Sequence, residues 1–404
     1  MTRARTKRDQ CATPMSHISL FTGAGGLDLG LEQAGFETLS LVEKDAPARA
    51  TLRLNKEHHF SGLPDQVFED VLSLSGEDLL NASGLGVGEL DLLSGGPPCQ
   101  SFSTAGHRLS VEDPRGSLFG RYLQLVGELR PRFFVIENVR GLLSAALEHR
   151  PLAERGPGNP PLRPEKEFGS LLQLVILPEI IDRLGYEVAY GLVNAADYGV
   201  PQARERVVFI ASRDHELNGA SITDLMPPTH TSGTPSGLRP HVTLRNSLEG
   251  LSESGPGMRY SPERKRVFDL IPEGRNWRYI RDELGDEFLR KAMGGAYDST
   301  GGRVGFWRRL SWDKVSPTLP TSPVQKATGL CHPAEIRPLS VREYARIQQF
   351  PDGYEFAGSV ASQYRQIGNA VPVGLGKAIG EAVARLVHKD ADSAPLPLET
   401  ALVG

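Results

Sequence analysis

The first half of the chain alternates short apolar runs with amphipathic helical patterns. The runs are rich in Val, Ile, Leu and Phe, which is typical of strands that are buried on both faces of a parallel sheet. Because helical patterns separate these runs, we predict an α/β fold with a doubly wound, mostly parallel, Rossmann-like sheet. The predicted strands are 17–21, 38–43, 89–94, 132–138 and 206–212, and the predicted helices are 27–34, 116–130, 170–185, 339–350 and 373–389.

This alternation fades between about 214 and 336, where Pro, Gly, Ser and Arg are frequent. Such a composition predicts a small irregular domain, inserted into the α/β domain before its last helices. We therefore divide the chain into a disordered basic arm (1–15), the first part of the α/β domain (16–213), the inserted domain (214–336), a C-terminal segment that returns to the α/β domain (337–389) and a disordered tail (390–404).

Charge is unevenly distributed along the chain. The whole sequence has a net charge of −4, but residues 259–314 hold 13 Lys and Arg against 9 Asp and Glu. All three tryptophans, Trp277, Trp307 and Trp312, lie in that window. Positive charge interleaved with aromatic side chains is typical of a phosphate-facing surface. A solvated face above a small core would have the same composition, so composition alone favours neither interpretation.

The three cysteines, Cys11, Cys99 and Cys331, stand far apart in the sequence and form no C-x-x-C pair. This spacing argues against a disulfide framework and against a structural zinc site, so we expect no bound metal. The sequence contains no run of about 18 apolar residues that would span a membrane, and no apolar stretch follows the basic N-terminal arm as in a secretory signal. We expect a cytoplasmic protein with no membrane partner.

A glycine-rich turn, "FTGAGG", follows the first predicted strand. Gly23, Gly25 and Gly26 allow a ligand to approach the backbone at the mouth where open α/β sheets bind nucleotides. Glu43, at the end of the second strand, is placed to accept hydrogen bonds from ribose hydroxyls. Asp70, where a third strand would end, could accept a hydrogen bond from an adenine amino group. The pattern predicts an adenosine-containing ligand, although similar turns occur in dehydrogenases and kinases.

Cys99 lies in "SGGPPCQSFS", the loop after the predicted strand 89–94. A lone cysteine is usually a small core residue, but other motifs accompany this one. Glu137 closes the next strand in "VIENV", "QARER" (202–206) precedes another strand, and "QIGNAVPVG" (366–374) precedes the final helix. Together with "FTGAGG", and in this order, these motifs resemble those of the cytosine carbon-5 DNA methyltransferases. The resemblance extends from about residue 17 to 388.

The resemblance implies covalent catalysis. Carbon 5 of cytosine is a poor nucleophile, and a thiolate that adds to carbon 6 makes carbon 5 reactive toward a methyl donor. Cys99 would supply this thiolate, and Glu137 would hold a proton at ring nitrogen 3, a state that burial of the carboxyl favours. Arg206 would hold the 2-oxo group, with Arg204 supporting the site. Water or hydroxide would then take the proton from carbon 5 as Cys99 is eliminated.

The methyl donor that the resemblance implies is S-adenosylmethionine, which leaves as S-adenosylhomocysteine. Phe21 would stack on the adenine, Glu43 would bind the ribose hydroxyls, and Asp70 would bind the adenine amino group. Asn369 and Val371 would complete the pocket from the C-terminal segment. The remaining expected cofactor contacts are Gly23, Gly25, Gly26, Leu27, Lys44, Val71 and Pro98.

The resemblance also implies that the partner is double-stranded DNA, from which the target cytosine is flipped out to reach Cys99. The inserted domain, 214–336, would be the target-recognition domain, and the loop 101–116 would close over the flipped base. We expect a monomer that protects DNA alongside a cognate restriction endonuclease. The expected DNA contacts are Ser103, Arg303, Arg308 and Arg309, and any single arginine there is more often a phosphate contact than a base reader.

Three other functions fit the same residues less well. A nicotinamide dehydrogenase shares the glycine turn but has no use for a Pro-Cys-Gln motif or a pair of arginines. A catalytically inert DNA-binding relative would be expected to lack Cys99 or Glu137, and both are present. A tRNA-directed member of the same fold would share the chemistry, but such members usually have a smaller recognition domain.

Overall fold

A six-stranded sheet forms the centre of the molecule in a computed structural model, which describes residues 14–62, 67–98, 118–148, 163–233, 237–251, 255–298, 305–325 and 329–391. The strands of these ranges are β1 (Met15–Leu20), β2 (Phe36–Val42), β3 (Leu92–Gly95), β4 (Phe133–Val139), β5 (Glu187–Asn194), β6 (Gln202–Ala203), β7 (Glu205–Ser212), β8 (His230–Thr231), β9 (Arg239–Pro240), β10 (Arg308–Arg309), β11 (Ser316–Pro317) and β12 (Leu330–Cys331).

The order of strands in the sheet is β2-β1-β3-β4-β7-β5. The first four of these run parallel, whereas β7 runs antiparallel to both β4 and β5. The predicted α/β fold with a mostly parallel sheet is confirmed. The strand order reverses at β1, because β2 lies on one side of it and β3 on the other. Open α/β sheets bind their ligands at such a switch point.

The register of the strands brings the predicted motifs to one edge of the sheet. Leu20, the last residue of β1, lies opposite both Val42 and Gly95, so the segments that follow these strands meet. Val139 at the end of β4 pairs with Arg206 at the start of β7. Because β7 is antiparallel, the residues that precede it reach the same edge as the residues that follow the parallel strands.

The five strands predicted by range all form, with ends that differ from the prediction by at most three residues. β5 was not predicted, because its sequence mixes exposed and buried positions instead of forming a continuous apolar run. The third strand expected before Asp70 is reduced to a single bridge, in which Phe68 pairs with Val42.

The five predicted helices form at least in part, whereas most of the other helices of the described ranges were not predicted. The predicted helix 170–185 forms partly as two π-helical segments, Leu172–Ile176 and Glu179–Arg183. The α-helices are α1 (Gly26–Gln33), α2 (Ala46–His59), α3 (Gly76–Ser83), α4 (Leu118–Leu129), α5 (Ile222–Leu225), α6 (Leu244–Leu248), α7 (Pro262–Asp269), α8 (Arg281–Met293), α9 (Gly295–Asp298), α10 (Val341–Ile347), α11 (Val360–Asn369) and α12 (Val373–Ala391).

The C-terminal helix α12 packs directly on α1, beside the first strand. Gly30 of α1 faces the backbone of α12 so closely that a Cβ there would lie 2.3 Å from the Lys377 nitrogen. From the other side, a Cβ at Gly376 would lie 2.8 Å from the Leu27 carbonyl oxygen. Small residues on both helices therefore permit a backbone-to-backbone contact, which places the segment before α12 next to the glycine turn.

The inserted region has a small core of its own, which lies between Tyr260 and Cys331 and includes Phe268, Trp277 and Trp307. The residues just after β7 pack elsewhere, because Leu217, Ile222 and Met226 join the core on one face of the central sheet. The domain division at 214 and 336 stays a prediction. Among the described residues, no helix combines the length and apolar character that a membrane span requires.

Candidate active site

A cavity of about 580 Å³ opens at the edge of the sheet where the parallel strands end. This volume lies within the usual range of about 300–1,000 Å³ for small-molecule sites. Its wall is built from the ends of β1 to β4, the residues around the start of β7, and the end of α11. The predicted site residues that line it are Phe21, Gly23, Leu27, Glu43, Pro98, Glu137, Arg204, Arg206, Asn369 and Val371.

The turn after β1 is sharply bent at the rim of this cavity. Phe21 and Gly23 both have left-handed backbones, with φ of 57° and 59°. Gly23 has no other atom within 4 Å of where a Cβ would stand, so it leaves space for a ligand beside Phe21. A Cβ at Gly26, by contrast, would lie 2.2 Å from the Val371 carbonyl oxygen. The turn is therefore in close contact with the C-terminal segment on one side and open to the cavity on the other.

Glu43 is held in place by the backbone on both sides of the crevice. Its Oε2 accepts a hydrogen bond from the Gly23 N–H, and its Oε1 accepts one from the Asp45 N–H, each at 2.6 Å. A carboxylate oxygen has two acceptor sites, so each oxygen can accept a further hydrogen bond. The arrangement presents acceptors for hydroxyl donors at one end of the cavity.

Lys44, Asp70 and Val71 do not line the cavity. Lys44 forms an exposed ion pair with Asp70 at 3.1 Å. The Leu72 N–H and then Lys44 lower the pKa of the Asp70 carboxyl by hydrogen bonding. Val71 is buried among the side chains of the sheet core. Their predicted contacts with a cofactor therefore stay predictions that this geometry does not support.

Glu137 and Arg206 form an ion pair at the opposite end of the cavity. Arg206 Nε lies 2.7 Å from Glu137 Oε1, and the two side chains are only 13% and 12% exposed. Oε1 has no hydrogen-bond partner of acceptable geometry, so charge rather than a directed hydrogen bond holds the pair. A buried carboxyl and a half-buried guanidinium at one cavity wall can together bind a planar polar group with both donors and acceptors.

Arg204 lies deeper than Arg206 and binds the protein backbone. Its guanidinium donates hydrogen bonds to the carbonyl oxygens of Gly368 and Asn369, at 3.0 and 3.3 Å. Burial, and then the charge of Arg206, lower the pKa of Arg204 to about 9, although Glu137 opposes this shift. Arg204 therefore acts as a positioning residue, because it fixes the segment that contributes Asn369 to the cavity.

The cysteine loop is fastened to the glutamate strand by Asn138. The Asn138 amide donates a hydrogen bond to the Pro97 carbonyl oxygen at 2.9 Å, and its oxygen accepts one from the Val139 N–H. This bond fixes the backbone two residues before Cys99. Cys99 itself lies outside the described residues, which end at Pro98 on this side.

Comparison with known proteins identifies the family. The model of the C-5 cytosine-specific DNA methylase family matches residues 15–154 and 166–385. The chain belongs to this family. It is 39% identical over 381 residues to the type II methyltransferase M.PspPI of Psychrobacter sp. (strain TA137), covering 92% of this chain and 80% of that one. It is 37% identical to M.Sau96I of Staphylococcus aureus, covering 91% and 75%.

A solved structure supports the fold. The chain resembles a putative DNA modification methyltransferase encoded within a prophage of E. coli, with a TM-score of 0.59 and 24% identity. The likeness covers 93% of this chain and 99% of that one. The predictions of family, enzyme class and DNA-methylating activity are confirmed by the family and its relatives: the chain is a cytosine carbon-5 DNA methyltransferase.

Membership of the C-5 cytosine-specific DNA methylase family implies S-adenosylmethionine as the methyl donor, and the cavity fits such a ligand. It offers the Glu43 acceptors, an aromatic ring at Phe21, and a buried carboxyl at Asp28 whose two oxygens have no hydrogen-bond partner. Across the described ranges, no group of three or more His, Cys, Asp or Glu side chains could hold a metal ion.

The structure describes two of the four residues that are predicted to contact DNA in this methylase. Ser103 and Arg303 lie outside the described residues. Arg308 is half-buried, and burial lowers its pKa. Arg309 donates hydrogen bonds to three carbonyl oxygens, those of Ile271, Pro333 and Ala334. These bonds favour a structural role for Arg309, whereas a DNA contact by either arginine stays a prediction.

The tryptophans of the inserted region show whether its aromatic residues belong to a small core or to a phosphate-facing surface. Trp277 and Trp307 are only 4% and 7% exposed and belong to the small core. Trp312 is partly buried, with its ring against His332 and the Arg245 guanidinium above it. The aromatic content of this window therefore reflects a core, and it is not evidence for a phosphate-facing surface.

Sequence reasoning missed several residues that build the methylase site. Asn138 lies in the "VIENV" motif, but the sequence alone predicts no function for its side chain. Gln202, from the same motif as the arginines, donates to Gln348, and Gln348 in turn donates to the carbonyl oxygens of Ile367 and Ala370. Asp28 could have been found as the only charged residue in the otherwise apolar start of the first helix.

Proposed function

We propose that this methyltransferase transfers the methyl group of S-adenosylmethionine to carbon 5 of a cytosine that is flipped out of a specific duplex sequence. The observation that carries the proposal is one cavity with two chemically different ends. Glu43 at one end suits the hydroxyls of a ribose, and the Glu137–Arg206 pair at the other end suits the polar edge of a pyrimidine. S-adenosylmethionine supplies an electrophilic methyl group on a sulfonium.

At the cofactor end, the turn from Phe21 to Gly23 lies against the ligand, and Glu43 accepts hydrogen bonds from its ribose. Asn369 and Val371 close the cavity from the C-terminal segment, held there by the hydrogen bonds from Arg204 to that backbone. Because these groups come from distant parts of the chain, the correct packing of α12 on α1 is a condition for cofactor binding.

At the base end, the Cys99 thiolate adds to carbon 6 of cytosine and makes carbon 5 nucleophilic. Glu137 holds a proton at ring nitrogen 3, and Arg206 exchanges part of its pairing with Glu137 for the 2-oxo group. After transfer, a proton leaves carbon 5 to water or hydroxide, the double bond re-forms, and the Cys99 thiolate is expelled. Asn138 positions the cysteine loop throughout, through its bond to Pro97.

The target sequence is read by the inserted domain, and the biological role is protection of DNA from a cognate restriction endonuclease. Support comes from the relatives at 36–39% identity, which are named as type II methyltransferases. S-adenosylhomocysteine is the second product, the protein acts as a monomer in the cytoplasm, and no metal takes part.

The proposal is tested by incubating the protein with labelled S-adenosylmethionine and either plasmid DNA or bulk tRNA, followed by methylation-dependent sequencing of the DNA. We expect label in DNA, at one short sequence, and trapping of the protein on DNA with a fluorinated target cytosine. Cys99→Ser should abolish both signals while S-adenosylhomocysteine still binds, because a serine hydroxyl is far less ionised than a thiol. Label in tRNA alone, or an active serine variant, contradicts the proposal.

A further inference from the structure

Asp28 is a buried carboxyl that the proposed chemistry does not use. It lies in the first turn of α1, it is fully buried, and both of its carboxyl oxygens are without a hydrogen-bond partner. Ser19 and the N–H of Asp28 itself lie close enough to favour the ionised form, but neither meets the geometry of a hydrogen bond. An unpaired buried carboxylate is costly, so a compensating ligand group is expected.

The position of Asp28 indicates which group that is. Asp28 lines the same cavity as Phe21 and Glu43, and it comes from the helix that begins directly after the glycine turn. If the ribose lies at Glu43, the amino-acid part of the ligand extends along this turn. An α-ammonium group has three N–H donors and a positive charge, which are what an unpaired carboxylate lacks.

We infer that Asp28 is the residue that binds the α-ammonium group of the methionine part of S-adenosylmethionine and S-adenosylhomocysteine. The inference rests on the proposed function, because it assumes that this cofactor occupies the cavity. It assigns Asp28 a binding role, distinct from that of Glu43 on the ribose and of Glu137 on the base.

The electrostatic surroundings make the interaction sensitive to pH. Burial, with smaller contributions from the charges of Glu32 on the same helix and Glu43 at the end of β2, raises the pKa of Asp28 to about 7, although Ser19 and the N–H of Asp28 oppose this shift. The Tyr354 hydroxyl, from the segment before α11, faces the same group and donates to the Ala24 carbonyl oxygen. The carboxylate is therefore present above about pH 7 and is lost below it, whereas the α-ammonium group stays charged over this range.

The test measures binding by calorimetry with two ligands: S-adenosylhomocysteine and its analogue without the α-amino group. For the unmodified protein we expect the amino ligand to bind about 10- to 100-fold more tightly at pH 8. That ratio should fall as the pH is lowered through about 7. Contacts that the two ligands share, such as hydrogen bonds from the ribose to Glu43, cancel in the ratio.

Asp28→Asn should remove this preference for the amino ligand and its pH dependence, while affinity for the analogue changes little. Glu32→Gln is the matched control, since it removes a charge from the same helix at a residue that binds Thr38 and Ser61 outside the cavity. It should keep the preference. Two results overturn the inference: equal affinities for both ligands in the unmodified protein, or an equal loss for both ligands in Asp28→Asn. Failure of the unmodified protein to bind either ligand would instead reject the proposed function.

Discussion

Replacing Gly26 with alanine tests whether the contact between the glycine turn and the C-terminal segment controls the cofactor end of the cavity. A Cβ at this position would lie 2.2 Å from the Val371 carbonyl oxygen, and 3.3 Å from both the Ala370 Cβ and the Phe350 ring. Real Cβ contacts are not shorter than 3.0 Å. The backbone of Val371 must therefore move away by about 0.8 Å, since a carbonyl oxygen cannot rotate aside as a flexible side chain can.

The size of the effect follows from two opposing contributions to the free energy of unfolding. Overpacking of a well-filled site costs about 1–3 kcal/mol, whereas replacing glycine with alanine stabilises by about 0.4–1 kcal/mol through the unfolded chain. Gly353→Ala is a matched control, because its Cβ would meet no atom within 4 Å. The unfolded-state contribution is common to both variants. Gly26→Ala should therefore be less stable than Gly353→Ala by about 1–3 kcal/mol.

Urea unfolding measures this difference, and calorimetry with S-adenosylhomocysteine measures its consequence. Val371 lines the cavity, so its displacement should weaken binding in Gly26→Ala and leave Gly353→Ala unchanged. A misplacement near 1 Å can lower a reaction rate about 100-fold, and the rate of methyl transfer should fall accordingly. If both variants have equal stability and equal affinity for the ligand, the close contact does not constrain the cavity and the reasoning is wrong.

Three further predictions concern other parts of the site. Asn138→Ala should lower the rate of methyl transfer more than the affinity for S-adenosylhomocysteine, and should cost about 1–3 kcal/mol of stability, because the Pro97 carbonyl loses its donor; comparable losses in rate and affinity would argue against a positioning role. Glu43→Gln should mainly weaken binding of the cofactor, whereas Glu137→Gln should mainly slow single-turnover methylation, and identical profiles would reject the separate roles. Arg309→Ala should lower the free energy of unfolding by about 1.5–3 kcal/mol without changing the methylated sequence, because its three carbonyl contacts lie within the inserted region; an altered target in sequencing would show that Arg309 reads a base.

The parts of the fold that could be predicted are those whose strands are buried on both faces. β4 and β7 contain continuous apolar runs, at residues 133–136 and 207–211, and these residues are buried. Burial on both faces of the sheet is what the sequence pattern records. β5 lies at the end of the sheet, so its side chains are partly exposed and its sequence lacks the pattern. α11 was missed for a similar reason, since polar side chains interrupt its apolar face.

The candidate site was predictable where a motif fixes a residue at a strand end, and unpredictable where the role depends on tertiary contacts. Glu43 and Glu137 follow from their strands. Asp28 does not, because an acidic residue in the first turn of a helix is commonly an exposed partner of the helix dipole. Only the structure shows that this carboxyl is buried at the cavity. In the same way, Trp277 could be assigned to a core only when its burial was known.

The direction of β7 explains how a motif at the start of one strand and motifs at the ends of others form one site. Glu43 and Glu137 come at the ends of their strands, whereas Arg206 stands at the beginning of β7. If β7 were parallel to its neighbours, its start would lie at the far edge of the sheet, roughly 25 Å away for eight residues. Because β7 is antiparallel, Arg206 pairs with Val139 and its guanidinium reaches Glu137 at 2.7 Å. The reversed direction of β7 therefore brings the side chains of these two motifs together at one wall of the cavity.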